Sequence, residues 1–456
     1  MRFLISLLTI LVLAPLAQCQ GLIEAMQECP STLSGSTQPE QIHLQITDDY
    51  SEMVVIWTTD QRGDAVVEWS TATNSDSTNG ESYCYNHGKA FHMAKMTGLP
   101  LGDEVTYRVG DGNTWSEEYT FTTIDPNAEY FEWIAIADHG LSSEALDVTD
   151  AIIADSSAQM VTISGDIAYA DGNQDEWDDW FLVQQESMTT IPWVTAVGNH
   201  ENEPGVGFIP YEHRFDSDEI IESEGFWYSR NIPGAHLVFM STEHDYTLGS
   251  PQFTWLQSDL QSANSPEARE ERPFIIVIAH KPMYSSNDYH GSEIELRDAL
   301  ESLYSETGVN LVIAGHDHFY ERTWPVIDEQ VMNKGSGDVF GQGLAPIHLV
   351  IGIAGRSAYE ELQEPQPEWS AYRENSTYGW TRLVYDDNSR QLSFTHHRID
   401  GTIGDSFILQ DSVISEDSDD SNSLGTPVMS SIITVIALLG AALVKTHHHS
   451  SGLRKG

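Results

Sequence analysis

Basic residues are scarce in this chain. Twenty-one Lys and Arg stand against 70 Asp and Glu in 456 residues, a formal net charge of −49 with histidine neutral. A surface field of that sign repels polyanions, which excludes nucleic acid and anionic lipid headgroups as partners. Cysteine is scarcer still, at three residues, so a dense disulfide scaffold is excluded and a metal site has to draw on oxygen and imidazole donors. Long apolar runs occur only at the two ends. What the chain does have is length and a 40% apolar fraction, enough for two domains with sizeable cores.

Each end carries an addressing signal. Arg2, the apolar stretch Phe3 to Leu13 and the exit APLAQCQ, with small residues at Ala17 and Cys19, read as a secretory signal peptide over residues 1–19. In the oxidising compartment this implies, Cys29 and Cys84 are the remaining cysteines and form a possible disulfide. Asn375-Ser376-Thr377 is a glycosylation sequon. Near the other end, an acidic Ser-rich linker (411–427) precedes an apolar segment (428–444) and a short basic tail (445–456) with Lys445, Arg454 and Lys455. A helix there extends roughly 25 Å, close to a bilayer core, and the basic flank suits a single-pass anchor. A lipid-anchor signal fits less well, because polar residues follow the apolar run. His447 to His449 read as part of a solvated tail. The expected location is the secretory pathway, at the cell surface or in an endomembrane lumen, with a soluble secreted form if the tail is removed.

Between the signals, two patterns follow one another. QIHLQIT, MVVIWTT, AVVEWST, VTYRVGD and EYTFTT alternate apolar and polar positions between turn-forming clusters, which predicts an all-β sandwich over 30–124. From 125 to 410, apolar runs alternate with the helical patterns 141–154, 251–263 and 292–304, which predicts an α/β layered domain. The stretch from Ile347 to Leu409 is expected to form a hairpin that closes the second sheet of that domain.

Five apolar runs end in a metal-binding side chain. Asp138 follows FEWIAIA, Asp166 follows VTISG, Asn199 follows WVTAVG, His280 follows FIIVIA and His316 follows NLVIAG. In α/β sheets, ligand-binding loops gather at the carboxyl ends of buried strands, so the five point to one shared site. Tyr169 and His318 complete the words GDIAY and GHDH. Seven donors without a thiol exceed the needs of one tetrahedral ion and suit two ions. A phenolate donor implies a hard, highly charged cation such as Fe(III). His87, His92, His348, His396 and His397 lack such a context and read as ordinary. His139, inside ADHG, reads equally as a donor behind the metal ligands or as a solvent-facing loop residue.

In this order and spacing the five words resemble the metallophosphoesterase superfamily and, through the tyrosine of GDxxY, the purple acid phosphatases. The likeness extends to FWYS (226–229), STEHDYTLGS (241–250), HDHFYERTWP (316–325) and DSFIL (405–409), and covers roughly residues 38–410. It implies a βαββα metallophosphoesterase sandwich preceded by a fibronectin type III-like domain. It further implies that Asp138, Tyr169 and His318 bind Fe(III), that Asn199, His280 and His316 bind a divalent ion (Zn, Mn or Fe), and that Asp166 bridges the two. His200 and His290 take the positions of substrate-contacting histidines, His200 being the stronger candidate for general acid. Family members often carry two adjacent histidines where this chain reads Tyr289-His290. The implied activity is an acid phosphatase that hydrolyses small phosphate monoesters by attack of a metal-bound hydroxide. A phosphodiesterase or nucleotide pyrophosphatase would use the same donors, and a non-catalytic cell-surface adhesion protein would use the β-sandwich alone.

The C-terminal reading is open to a direct check. On fractionation, the full-length protein should sediment with membranes while a chain ending at Ser423 stays soluble and active. Equal partitioning of the two forms, with the tail intact, removes the anchor.

Overall fold

The computed structural model describes residues 33–411, apart from 86, 156, 216–225, 336–337, 344 and 360. The expected signal peptide (1–19), Cys29, the apolar segment 428–444, residues 412–427 of its linker and its tail lie outside the described residues. Among the described residues no helix is long and apolar enough to cross a membrane. Cys84 is disulfide-bonded.

The described residues open with eight strands: β1 (Glu40–Ile46), β2 (Met53–Thr59), β3 (Val66–Ser70), β4 (Ser75–Asn79), β5 (Glu81–Tyr83), β6 (Ala90–Met96), β7 (Glu104–Gly110) and β8 (Tyr119–Thr122). They make two four-stranded antiparallel sheets, ordered β1-β2-β6-β5 and β4-β3-β7-β8. Alternation sets the buried face: Val105, Tyr107 and Val109 of β7 point inward and Thr106 and Arg108 outward. The sequence pattern did not mark β4, SDSTN, which has no apolar residue. It exists because its backbone pairs with β3 from Val66 to Ser70.

The larger domain opens with β9 (Tyr130–Ile136), α1 (Ser143–Ala154), β10 (Met160–Ser164), α2 (Gln174–Met188), β11 (Trp193–Ala196) and the short α3 (Ile209–Phe215). There follow β12 (Tyr228–Ile232), β13 (Ala235–Phe239), α4 (Pro251–Ala263), α5 (Pro266–Glu271), β14 (Phe274–Ile278), α6 (Ile294–Glu306), β15 (Leu311–Ala314) and β16 (Tyr320–Thr323). The small pair β17 (Val326–Ile327) and β18 (Gln330–Val331) precedes β19 (Val339–Gly341), β20 (Ile347–Ile351), β21 (Ser370–Glu374), β22 (Gly379–Asp386), β23 (Gln391–Arg398) and β24 (Ile403–Gln410). Two mixed seven-stranded sheets result, β11-β10-β9-β22-β23-β24-β19 and β12-β13-β14-β15-β20-β16-β21. The expected hairpin of TRLVYDD and QLSFTHHR is present as β22 and β23, but it does not close the second sheet. It pairs with β9 from Tyr130 to Ala135 and so extends the first, because the open edge of β9 accepts an antiparallel neighbour.

Both faces of the central strands are buried, which explains why they read as continuous apolar runs. In β9, Trp133 and Ala135 face the core between the sheets, where they join Leu383, Phe394, Ile276, Ile313 and Leu349. Ile134 and Ile136 face outward under α1 and α2 against Val148, Ile152, Trp180 and Phe181. The second sheet is covered in the same way by α4 and α6, through Leu256, Leu260, Leu296, Leu300 and Leu303. Ser142 and Ser250 cap α1 and α4 by accepting from Ala145 N and Phe253 N.

The small domain is packed onto the large one. Tyr107 Oη donates to the Thr189 carbonyl and Tyr83 Oη to that of His213, both at 3.0 Å. The buried Arg214 guanidinium bonds Asp178 at 3.1 Å and lies over Tyr85 and Trp177.

One buried ion pair ties the two large sheets together. Arg322 of β16 donates to both oxygens of Asp405 on β24, at 2.6 and 3.0 Å, and Tyr320 Oη donates to the same carboxylate at 2.9 Å. Removing one partner of such a pair leaves a buried, uncompensated charge. Asp405→Ala should therefore lower unfolding free energy by about 3–5 kcal/mol, read as a lower guanidinium midpoint. An unchanged midpoint would show that the pair does not clamp the sheets.

Candidate metal centre

The parallel strands end at one edge, and their loops carry the donors. Asp138, Asp166, His280 and His316 each stand two residues beyond the last residue of β9, β10, β14 and β15, and Asn199 stands three beyond β11. The turns are tight enough that Asp138, Asp166, Tyr169 and His316 adopt φ of 57°, 53°, 54° and 68°. Side chains other than glycine adopt such values rarely, at a cost of roughly 1–2 kcal/mol each. The glycines of the GNHE and GHDH words leave room for the ligands: a Cβ on Gly198 would collide with Asp166 Oδ1, and one on Gly315 with Asp138 Oδ2.

The donors fall into two groups. In the first, Tyr169 Oη is 2.9 Å from Asp138 Oδ1 and 3.1 Å from His318 Nε2, and His318 Nε2 is 3.4 Å from Asp138 Oδ1. In the second, His280 Nε2 is 3.0 Å from Asn199 Oδ1 and 3.2 Å from Asp166 Oδ1. Asp166, His280 and His316 place their donor atoms within 4.8 Å of one another. Ligand atoms about 2.0–2.2 Å from a common ion stand about 3 Å apart, so each group is spaced to enclose one ion. The imidazoles are oriented for it. Nδ1 of His280 faces the Ser164 carbonyl and Nδ1 of His318 that of Ser357, both at 2.9 Å, which leaves Nε2 free toward the centre.

Electrostatics favour cations here. Burial opposes a charged His280, yet Asp166 and Asp138 outweigh it and push the ring up to about 10. Burial, with Asp138 and Asp166 alongside, holds the Tyr169 phenol well above its ordinary value. A point that attracts a proton so strongly attracts a metal ion for the same reason, and a phenolate at Tyr169 requires one. Burial and the neighbouring His280 and His290 push His316 down to about 2, so its ring is a neutral donor.

His200 and His290 stand beside the donors. His200 Nδ1 meets Asp171 Oδ1 at 2.5 Å, its Nε2 is 3.8 Å from Asp166 Oδ2, and its ring lies 4.5 Å from that of Tyr169. The His290 ring lies 4.2 Å from that of His316, tilted by 30°, and places Nε2 3.4 Å from Tyr359 Oη. Asn375 is half-buried, and its amide donates to the Tyr359 carbonyl at 3.1 Å. His139 is neither of its two expected kinds. It is buried, accepts from Trp180 Nε1 at 3.1 Å and touches Thr149 at 3.3 Å, so it pins α1 and α2 under the sheet. His92 and His396 are buried and hydrogen-bonded, His348 is buried beside Tyr284, His87 meets Asp178, and His397 stacks on Trp380. None of these five is among the donors.

Four residues escaped the sequence pattern. Glu201 is fully buried and accepts from Asp166 N, Ile167 N and Gly198 N at 2.9, 2.8 and 2.7 Å. Burial and the Asp166 charge push its carboxyl upward, against the N–H donors of Ile167 and Gly198. Asp171 orients His200. Tyr359 stacks 4.3 Å from His318, and the Arg356 guanidinium lies 4.3 Å over the Tyr169 ring. The last two follow β20, a parallel neighbour of β15, so the same strand-end rule applied to a sixth strand would have reached them.

Comparison with known proteins matches three family models: purple acid phosphatase, N-terminal domain, over 39–123; calcineurin-like phosphoesterase over 134–320; and iron/zinc purple acid phosphatase-like protein C over 345–406. The chain is 33% identical to acid phosphatase type 7 of Danio rerio over 389 residues, covering 77% of this chain and 86% of that one. It is 32% identical to a purple acid phosphatase of Glycine max, covering 80% and 83%. Its fold superposes on a purple acid phosphatase from yellow lupin seeds with a TM-score of 0.76 at 24% identity, covering 86% and 78%.

Glu201 holds the bridge between the two donor loops, so Glu201→Gln sets an amide NH2 against backbone N–H groups. Stability should fall by about 1–3 kcal/mol, and affinity for the metal pair by about 10–100-fold, measured by chelator competition. Wild-type affinity in the variant would mean that the loops hold their shape without it.

Proposed function

This chain belongs to the purple acid phosphatase family, and we propose that its two donor groups hold Fe(III) and a divalent ion for the hydrolysis of phosphate monoesters. The family carries a binuclear metal centre, and the enzyme is an acid phosphatase. The finer assignment gives Fe(III) to Asp138, Tyr169 and His318, and Zn, Mn or Fe(II) to Asn199, His280 and His316, with Asp166 shared. Two cations bound there supply an acidified water and polarise the ester. The single observation behind the assignment is the separation of the donors into a phenol-containing group and an imidazole–amide group, each with spacings near 3 Å.

The remaining steps fall to side chains. Asp171 turns the His200 ring so that Nε2 faces the centre, where it can give its proton to the departing alkoxide oxygen as the phosphorus–oxygen bond breaks. General acid help of this kind is worth about 10²–10⁴ in rate. His290, set against Tyr359 and His316, orients the ester. The signal peptide, the sequon at Asn375 and the apolar segment 428–444 support a reading in which the enzyme enters the secretory pathway and stays anchored at a membrane.

Colour and turnover test the assignment together. The iron-loaded protein should absorb broadly in the visible, Tyr169→Phe should lose that band, and Asp166→Asn and His280→Ala should each lose turnover. Rates on phenyl phosphate, bis-phenyl phosphate and ATP separate a monoesterase from a diesterase or pyrophosphatase. A colourless iron-loaded wild type would refute the Fe(III)–phenolate assignment.

A further inference from the structure

The mouth of the site carries one cation, Arg356, with no hydrogen-bond or ion-pair partner among the described residues. Arg356 is anchored through its backbone, which donates to the Asp138 carbonyl at 3.0 Å, while the preceding Gly355 carbonyl accepts from Ser142 Oγ at 2.6 Å. Its side chain is exposed and lies over the Tyr169 ring, and the guanidinium makes no hydrogen bond or ion pair with any described residue. In so acidic a chain that isolation is informative. Lys281, the residue after the donor His280, is paired to Glu243 at 3.0 Å. The carboxylates around Tyr169 and His200 are engaged, Asp138 by Tyr169 and His318, and Asp171 by His200.

Resting on the phosphatase reading above, we propose that Arg356 forms an anion subsite beside the metal centre, selecting phosphate esters whose leaving group carries a second anionic group, a carboxylate or a further phosphate. The face of Tyr169 holds the cation by its ring quadrupole, and the N–H edge of the guanidinium stays free. That edge is a planar fork that matches two oxygens of a carboxylate or of a phosphate. The subsite also answers the charge problem of this protein. A leaving group with its own negative charge approaches a chain of net charge −49, and Arg356 offers it, on the Tyr169 side, a positive charge that no carboxylate among the described residues neutralises.

The test compares wild type, Arg356→Ala and Arg356→Lys, each loaded with metals, on phenyl phosphate, phosphoglycolate and methyl diphosphate. Selectivity is kcat/KM for either of the last two divided by that for phenyl phosphate. In Arg356→Ala it should fall tens-fold, through KM, with partial recovery in Arg356→Lys. A fall confined to phosphoglycolate identifies the carboxylate as the ligand, and one confined to methyl diphosphate identifies the phosphate. Unchanged selectivity, or equal loss on all three substrates, overturns the subsite. Calorimetric binding of phosphonoacetate against methylphosphonate reads the same selectivity without turnover. If the wild type hydrolyses none of the three, the phosphatase reading fails, and the binding ratio still decides the role of Arg356.

Discussion

Three N–H bonds to one buried carboxylate hold this site in shape. Glu201 gathers Asp166 N, Ile167 N and Gly198 N, so the loop after β10 and the loop after β11 cannot drift apart. Asp166 and Asn199 then face His280 across a few ångströms. The other donor group has a matching lock, since Asp138 Oδ2 accepts from His316 N at 2.8 Å and thereby joins the loop after β9 to the loop after β15. Both locks use backbone donors, which are stiff, so the donors converge before any cation arrives. Such preorganisation lets burial, normally unfavourable to charge, work in favour of metal binding.

The sequence displayed the donors plainly and their support poorly. Buried parallel strands are apolar on both faces, so the point where an apolar run meets Asp, Asn or His is visible without a structure; β9, β10, β11, β14 and β15 all read this way. Pairing partners are less visible. The β22–β23 hairpin alternates in the manner of any half-buried strand pair, and nothing local states which sheet has an open edge for it. β4 has no apolar signature, because its existence depends on β3. His139 looked equivocal because a histidine in a loop word has no periodicity to reveal its burial, which here comes from Trp180 on a helix 41 residues away. Arg356 and Tyr359 lay in a loop whose strand, β20, belongs to the same parallel set, but no metal-binding residue type drew attention to it.

The small β-sandwich also differs from a spacer in one respect. Tyr83 and Tyr107 each give their hydroxyl to a backbone carbonyl of the large domain, and Arg214 reaches back into the aromatic cluster of Tyr85. These contacts grip α2 and α3. The residues between β10 and α2 include Tyr169 and Asp171, so the sandwich steadies one wall of the site from behind while contributing no donor to it.

The left-handed backbone at Asp138, Asp166, Tyr169 and His316 restricts what these positions can become. Asn, Asp, His and Gly tolerate positive φ better than other residues, while a bulky side chain there is an outlier. Three of the four positions therefore hold residues the turn itself would accept, and drift among oxygen and imidazole donors costs the backbone little. Tyr169 is the exception. Its backbone would sooner carry a smaller residue, so the phenol is kept against the preference of the turn. A lineage that lost the need for that phenol would be free to relax the loop, and the first visible trace of the lost chemistry would be a small or amide residue at position 169.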